Sequence, residues 1–118
     1  MADQEERVAD LVYAAARAVP AGRVVSYGQL AELVEGASVT ARQVGRIMAF
    51  CPQGVPWHRV LGADGRMPIA KRDPALAALQ RELLAREGVA FLTDGRVDMR
   101  QCRLGAELEQ PALFESEG

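Results

Sequence analysis

Between Glu5 and Val19 the apolar residues Val8, Leu11, Val12, Ala15 and Val19 recur at helical spacing. That rhythm predicts an amphipathic helix, which Pro20 and Gly22 end. Ser26-Tyr27-Gly28-Gln29 has the spacing of a capping box and opens a second, short helix with Leu30, Leu33 and Val34 on its inward face, terminated at Gly36. A third follows from Ser38 or Thr40 to about Cys51-Pro52, burying Val44, Ile47 and Met48 and leaving Arg42, Gln43 and Arg46 outside. Two short helices joined by a tight turn read as a helix-turn-helix.

The run Pro52-Gln-Gly-Val-Pro-Trp-His-Arg59 holds two prolines and a glycine and is a rigid loop, not a helix. Val60-Leu61, the turn Ala63-Asp64-Gly65 and the residues after it are expected to pair as a small hairpin. Asp73-Pro74 caps a further helix whose inward face is Leu76, Leu79, Leu83 and Leu84, up to Gly88. Val89 to Met99 alternates around Thr93-Asp94-Gly95 and predicts a second hairpin. The fold class is therefore mostly α with small β-hairpins, a winged-helix-like domain containing a helix-turn-helix. That domain is assigned to residues 1–104, and 105–118 to an acidic, flexible tail.

At 118 residues, 49% of them hydrophobic and 25% charged, the chain has room for one core and therefore one principal site. Its net charge of −2 argues against a nucleic-acid partner until the charges are mapped. Between Gly36 and Arg72 six basic residues (Arg42, Arg46, Arg59, Arg66, Lys71, Arg72) face one acidic residue, Asp64, which puts +5 there and −7 elsewhere. Two separated cysteines and a single histidine support neither a disulfide framework nor a zinc site, and no cofactor or metal is expected. Arg17 and Arg23 interrupt the most hydrophobic early stretch, so the expected location is cytoplasmic, with no membrane partner.

Four ordered blocks carry a family resemblance: Val19-Pro-Ala-Gly-Arg-Val-Val-Ser-Tyr27-Gly-Gln-Leu-Ala31, Ala41-Arg42-Gln-Val-Gly45, Pro56-Trp57-His58-Arg59-Val60 and Leu83-Leu84-Ala-Arg-Glu87-Gly88. Together they resemble the C-terminal DNA-binding domain of the O6-alkylguanine-DNA alkyltransferases. In those enzymes the loop reads Pro-Cys-His-Arg-Val and its cysteine takes the alkyl group from guanine. Here Trp57 stands at that place, and an indole offers an N–H donor but no nucleophile. That departure, together with Ala70-Lys71-Arg72-Asp73 and the lack of the longer Gly- and Tyr-containing pocket loop, makes the chain similar to the alkyltransferase-like subgroup, which is not enzymatic.

What the resemblance implies is a sensor of DNA damage. Its helix-turn-helix docks in the minor groove of duplex DNA containing O6-alkylguanine, through Tyr27, Ala41, Arg42 and Gly45. Arg42 enters the duplex in place of the flipped base, and Tyr27 rotates the phosphate 3′ to it. Trp57, Val60 and Arg72 form the lesion pocket, while His58 and Glu87 remain as structural counterparts of the enzyme's hydrogen-bonded network. The bound protein, a monomer, blocks alkyl transfer and channels the lesion to nucleotide excision repair proteins. On residue type alone, Trp57 reads also as a loop anchor, Val60 as core and Arg72 as a residue before a helix cap. Two other function classes stay open: a sequence-reading helix-turn-helix regulator, and a residual alkyltransferase or a hydrolase using His58 and Glu87.

Overall fold

A computed structural model describes residues 2–106; the proposed tail falls almost wholly outside them. Helix α1 (Ala2–Arg17) packs with α2 (Tyr27–Leu33) and α3 (Ala41–Met48), and a small sheet joins β1 (Val25–Ser26) to β2 (Val60–Leu61). Two 3-10 turns, Trp57–Arg59 and Pro68–Lys71, precede α4 (Pro74–Arg86), and α5 (Met99–Cys102) closes the described chain. Among the described residues no helix is long and apolar enough to cross a membrane.

Local capping explains where the helices begin. The Ser26 hydroxyl accepts from Gln29 N at 3.0 Å, but the Gln29 side chain turns away and donates to Leu104 O, so only half of the expected box forms. At α3 the box is complete: Thr40 Oγ1 accepts from Gln43 N at 3.1 Å, and Gln43 Oε1 accepts from Thr40 N at 2.8 Å. Asp73 accepts from Ala75 N and Leu76 N ahead of Pro74, as the sequence predicts. Helix α1 stops at Arg17, two residues short of the expected end, and the chain tightens through Ala18 and Val19.

The predicted first hairpin is corrected. Val60–Leu61 pairs in parallel with Val25–Ser26, Val60 opposite Val25 and Leu61 opposite Ser26. The Asp64-Gly65 turn does form, with Gly62 N donating to Arg66 O at 2.8 Å, but Met67 and Pro68 then enter a 3-10 turn. Proline has no N–H with which to extend a ladder. The second hairpin is reduced to one antiparallel bridge, Phe91 to Val97, around Asp94-Gly95. Both predicted wings are thus turns, docked on each other where Val97 N donates to Gly65 O at 2.9 Å. Gly65 has φ +87°, and a Cβ there would collide with Val97 O.

The short sheet divides the interior. Val25 and Val60 belong to a cluster with Val12, Ala16, Val19, Leu30, Val34, Val44, Met48 and Val55. Val24 and Leu61 belong to another with Met67, Leu84, Val89, Val97 and Cys102. The helix faces also need correction at three leucines, since Leu33, Leu76 and Leu79 are exposed and Ile47 is only half-buried. In α4 the inward positions are Gln80 and Leu84. A polar Gln80 is buried because its amide has a specific task in the loop above it.

Candidate functional site

The loop that carries Trp57 is tied down from three sides. Arg59 donates from Nε and Nη2 to the Glu87 carboxylate, the closest contact being 2.8 Å, and from Nη1 to Val19 O at 2.9 Å. His58 Nε2 lies 2.8 Å from Glu87 Oε2, and Gly22 N donates to Glu87 Oε1 at 3.2 Å. From below, Gln80 Nε2 donates to both His58 O and Val60 O at 3.2 Å. Both of its partners are carbonyls, so the nitrogen must face them. Burial alone raises the Glu87 pKa, but hydrogen bonds from Arg59, His58 and Gly22 N outweigh it and bring the carboxyl down to about 2. Trp57 sits edge-on to the His58 ring, at 82° and 6.3 Å between centroids. The indole is held on a loop two of whose carbonyls, those of His58 and Val60, are bonded by α4.

Above that loop a cavity of about 430 Å³ opens, a volume in the range of small-ligand sites. Five of the seven residues proposed from the sequence line it: Tyr27, Gly45, Trp57, Val60 and Arg72. They arrive from α2, α3, the Trp57 loop and the segment before α4. Ala41 and Arg42 are not part of the lining; both are exposed in the first turn of α3. There Ala41 packs beside Gly28, 3.9 Å from where a Cβ on that glycine would stand, which is how α2 and α3 approach closely. Arg42, on the outside of that turn, points to a role beyond the cavity rather than within it.

Sequence reasoning missed several lining residues. Gln80 and Phe50 carry no signal in the sequence that would single them out. Arg46 and Lys71 had been noticed only as charge. No local pattern marks these four, because the cavity joins segments that are distant along the chain.

The arginines sort by position. Arg59, Arg66, Arg86 and Arg96 are ion-paired with Glu87, Asp64, Glu82 and Asp94, and Arg81 lies 5.2 Å over the Phe91 ring. Arg42, Arg46, Lys71 and Arg72 pair with no carboxylate among the described residues. Three of these four line the cavity. Burial raises the Tyr27 pKa and the Arg72 guanidinium opposes that rise, which places phenol and guanidinium within electrostatic reach. The phenol is therefore a neutral O–H donor at neutral pH. A hollow with one apolar wall, a hydroxyl donor and unpaired cations suits an anionic ligand that carries a flat, apolar part.

Residues 7–89 match the family described as 6-O-methylguanine DNA methyltransferase, DNA binding domain. The chain belongs to that family. Among similar proteins of the family, the DNA base-flipping protein of Escherichia coli (strain K12) is 33% identical over 103 residues, covering 86% of this chain and 77% of that protein. Alkyltransferase-like protein 1 of Schizosaccharomyces pombe is 43% identical over 81 residues, 66% of this chain and 72% of that one. The crystal structure of S. pombe Atl1 in complex with damaged DNA containing O6-carboxymethylguanine superposes with a TM-score of 0.67 at 33% identity, covering 83% of this chain and 94% of the other. The mostly helical fold with its helix-turn-helix is thus the fold of this family's DNA-binding domain.

Proposed function

We propose that this protein binds O6-alkylguanine in double-stranded DNA, swings the base out of the helix and holds it without reaction. The observation that carries the reading is the cavity in which Tyr27, Trp57, Val60 and Arg72 meet, ringed by cations that pair with no described carboxylate. Relatives named for base flipping support it, as does the S. pombe neighbour seated on DNA containing an O6-alkylated guanine.

Helices α2 and α3 dock in the minor groove, where backbone-directed contacts fix position without reading sequence. Extruding a base costs a few kcal/mol. Arg42, exposed at the start of α3 and outside the cavity, fills the vacated stack with a planar cation able to bond the orphaned partner base. Tyr27, neutral and at the cavity edge, directs its hydroxyl to the 3′ phosphate. The extruded purine lies against Trp57 and Val60, and Arg72 bonds or stacks on it from the wall. Base–aromatic stacking of this kind contributes roughly 1–3 kcal/mol.

No alkyl transfer follows, because no thiolate is within reach. Trp57 occupies the place of the nucleophile, Cys102 is buried in the other core cluster, and burial pushes the Cys51 thiol up to about 11. The persistent complex, formed by a monomer in the cytoplasm, then blocks alkyltransferases and passes the lesion to nucleotide excision repair proteins.

The test uses the chain's lone tryptophan. Its emission is followed while matched duplexes differing only by one O6-methyl group are added. A stronger, tighter response to the alkylated duplex is expected, and equal responses would sink the proposal. Mass spectrometry after incubation with excess O6-methylguanine DNA is expected to return the unmodified protein mass; a methyl adduct would make it an enzyme. A sequence-reading regulator would instead show affinity set by base sequence and indifferent to the lesion.

A further inference from the structure

Phe50 is the outlier among the exposed large apolar residues. It is 79% exposed, whereas Leu33, Leu76, Leu79 and Leu92 lie between 37% and 42%. A phenyl ring left in water forgoes the burial that normally draws aromatic side chains inward. Its backbone is nonetheless held, because Tyr13 Oη donates to Ile47 O at 2.9 Å and to Phe50 O at 3.2 Å, fixing the turn that follows α3. Phe50 lines the same cavity as Trp57, and its high exposure puts it where that cavity meets solvent.

The lining of that cavity is chemically divided. Arg46, Lys71 and Arg72 bring cations to it, while Met48, Trp57, Val60 and Ile69 form an apolar wall. Phosphate and the polar edge of a purine belong with the cations, which leaves the apolar wall to the group attached at O6. Phe50 stands beyond the C-terminus of α3, whereas Arg42 stands in its first turn, about 12 Å away along an eight-residue helix. The phenyl ring is therefore not at the point of entry into the duplex. As an exposed side chain it changes rotamer freely on a nanosecond scale.

We propose that Phe50 determines specificity for the O6 substituent: its ring closes over the open side of the cavity and clasps an apolar or aromatic substituent against Trp57. This rests on the lesion-binding reading above and adds to it one residue, Phe50, that discriminates among O6 substituents. The ring gains nothing from an unmodified guanine, little from a methyl group and most from a second aromatic ring.

The test measures dissociation constants of the full-length protein for three matched duplexes carrying guanine, O6-methylguanine or O6-benzylguanine. Each is compared with Phe50→Ala and Phe50→Leu, and thermal unfolding verifies that both variants keep the parent's stability. Phe50→Ala is expected to weaken binding of the benzyl duplex by about tenfold, of the methyl duplex by no more than about twofold, and of the guanine duplex not at all. Phe50→Leu should fall between parent and alanine on the benzyl duplex. A uniform loss on all three duplexes, or no loss on the benzyl one, overturns the assignment while leaving lesion binding intact. If the parent protein itself fails to distinguish the three, lesion binding fails and the role of Phe50 fails with it.

Discussion

The His58 imidazole and the Glu87 carboxylate meet at 2.8 Å, nitrogen Nε2 on oxygen Oε2, with the Arg59 guanidinium bonded to the same oxygen. One carboxylate at the end of α4 thus holds two consecutive residues of the Trp57 loop and, through Gly22 N, the turn after α1. The described strands are only two residues long, and this junction adds a second tie, beside their small sheet, between the N-terminal helices and the end of α4. It also presents Trp57, one residue earlier, to the cavity. His58 and Glu87 set the position of the loop, a role that needs no proton transfer.

Replacing that carboxylate tests the point directly. Glu87→Gln keeps the shape but removes the charge to which Arg59 is paired, leaving a guanidinium that is only 18% exposed without its anion. A loss of about 2–4 kcal/mol is expected, below the full value for a wholly buried pair. For a domain of this size that corresponds to a fall in Tm on the order of 10–20 °C. Calorimetry decides it; a shift of only a degree or two would mean that the loop is held by packing alone.

Acid should have the same effect. The Glu87 pKa is lowered from 4.5 to about 2 by its donors despite burial. A carboxyl whose folded pKa lies below its unfolded value adds stability above the unfolded pKa and loses it as pH falls toward the folded one. The stability of the parent is therefore expected to decline between about pH 5 and pH 2 more steeply than that of Glu87→Gln. Denaturant titrations at stepped pH measure both slopes, and parallel curves would remove Glu87 as a source of acid sensitivity.

Much of this was legible in the sequence because it is local. Ser26, Thr40 and Asp73 mark their helices through bonds to residues two or three positions on, and the proline-rich loop excludes a helix by composition. The family blocks locate Tyr27, Gly45, Trp57 and Val60, and the segment Ala70-Lys71-Arg72-Asp73 locates Arg72; the fold does bring these five to one cavity. What stayed hidden is long-range. The pairing of Val25–Ser26 with Val60–Leu61 joins strands too short to carry any periodicity. In α4 the spacing of Leu76, Leu79 and Leu83 suggests an apolar stripe, yet the inward position goes to Gln80, whose amide bonds two carbonyls of a loop that no pattern within α4 reveals. Phe50 was unremarkable until the cavity beside it existed.

Gly65 marks where the two turns touch. With φ at +87° and Val97 O directly above, Gly65→Ala meets both a strained backbone and a collision with a backbone atom that cannot move aside cheaply. A loss of about 3 kcal/mol is expected. Because Gly65 itself does not line the Trp57 cavity, lesion affinity measured below the new Tm should change little. An alanine variant as stable as the parent would mean that the two turns do not dock in this way.

Salt dependence and the preference for damage together separate the roles of the unpaired cations. A side chain on a phosphate displaces counterions, so its removal lowers the steepness of log K against log salt by about one unit per contact. A cation that replaces the flipped base also brings its charge into the duplex, so what sets it apart is its effect on the preference for damage. Arg46→Ala and Lys71→Ala, at the cavity rim, are therefore expected each to flatten the slope by about one while weakening damaged and undamaged duplex alike. Arg42→Ala is expected to cost about ten- to hundredfold in affinity for alkylated duplex and much less for undamaged duplex, since flipping then proceeds without its offset. Titrations of both duplexes at several salt concentrations distinguish the two behaviours. If Arg42→Ala instead weakened damaged and undamaged duplex alike and spared the preference for damage, Arg42 would be one more phosphate contact and the residue entering the duplex would have to be sought elsewhere on α3.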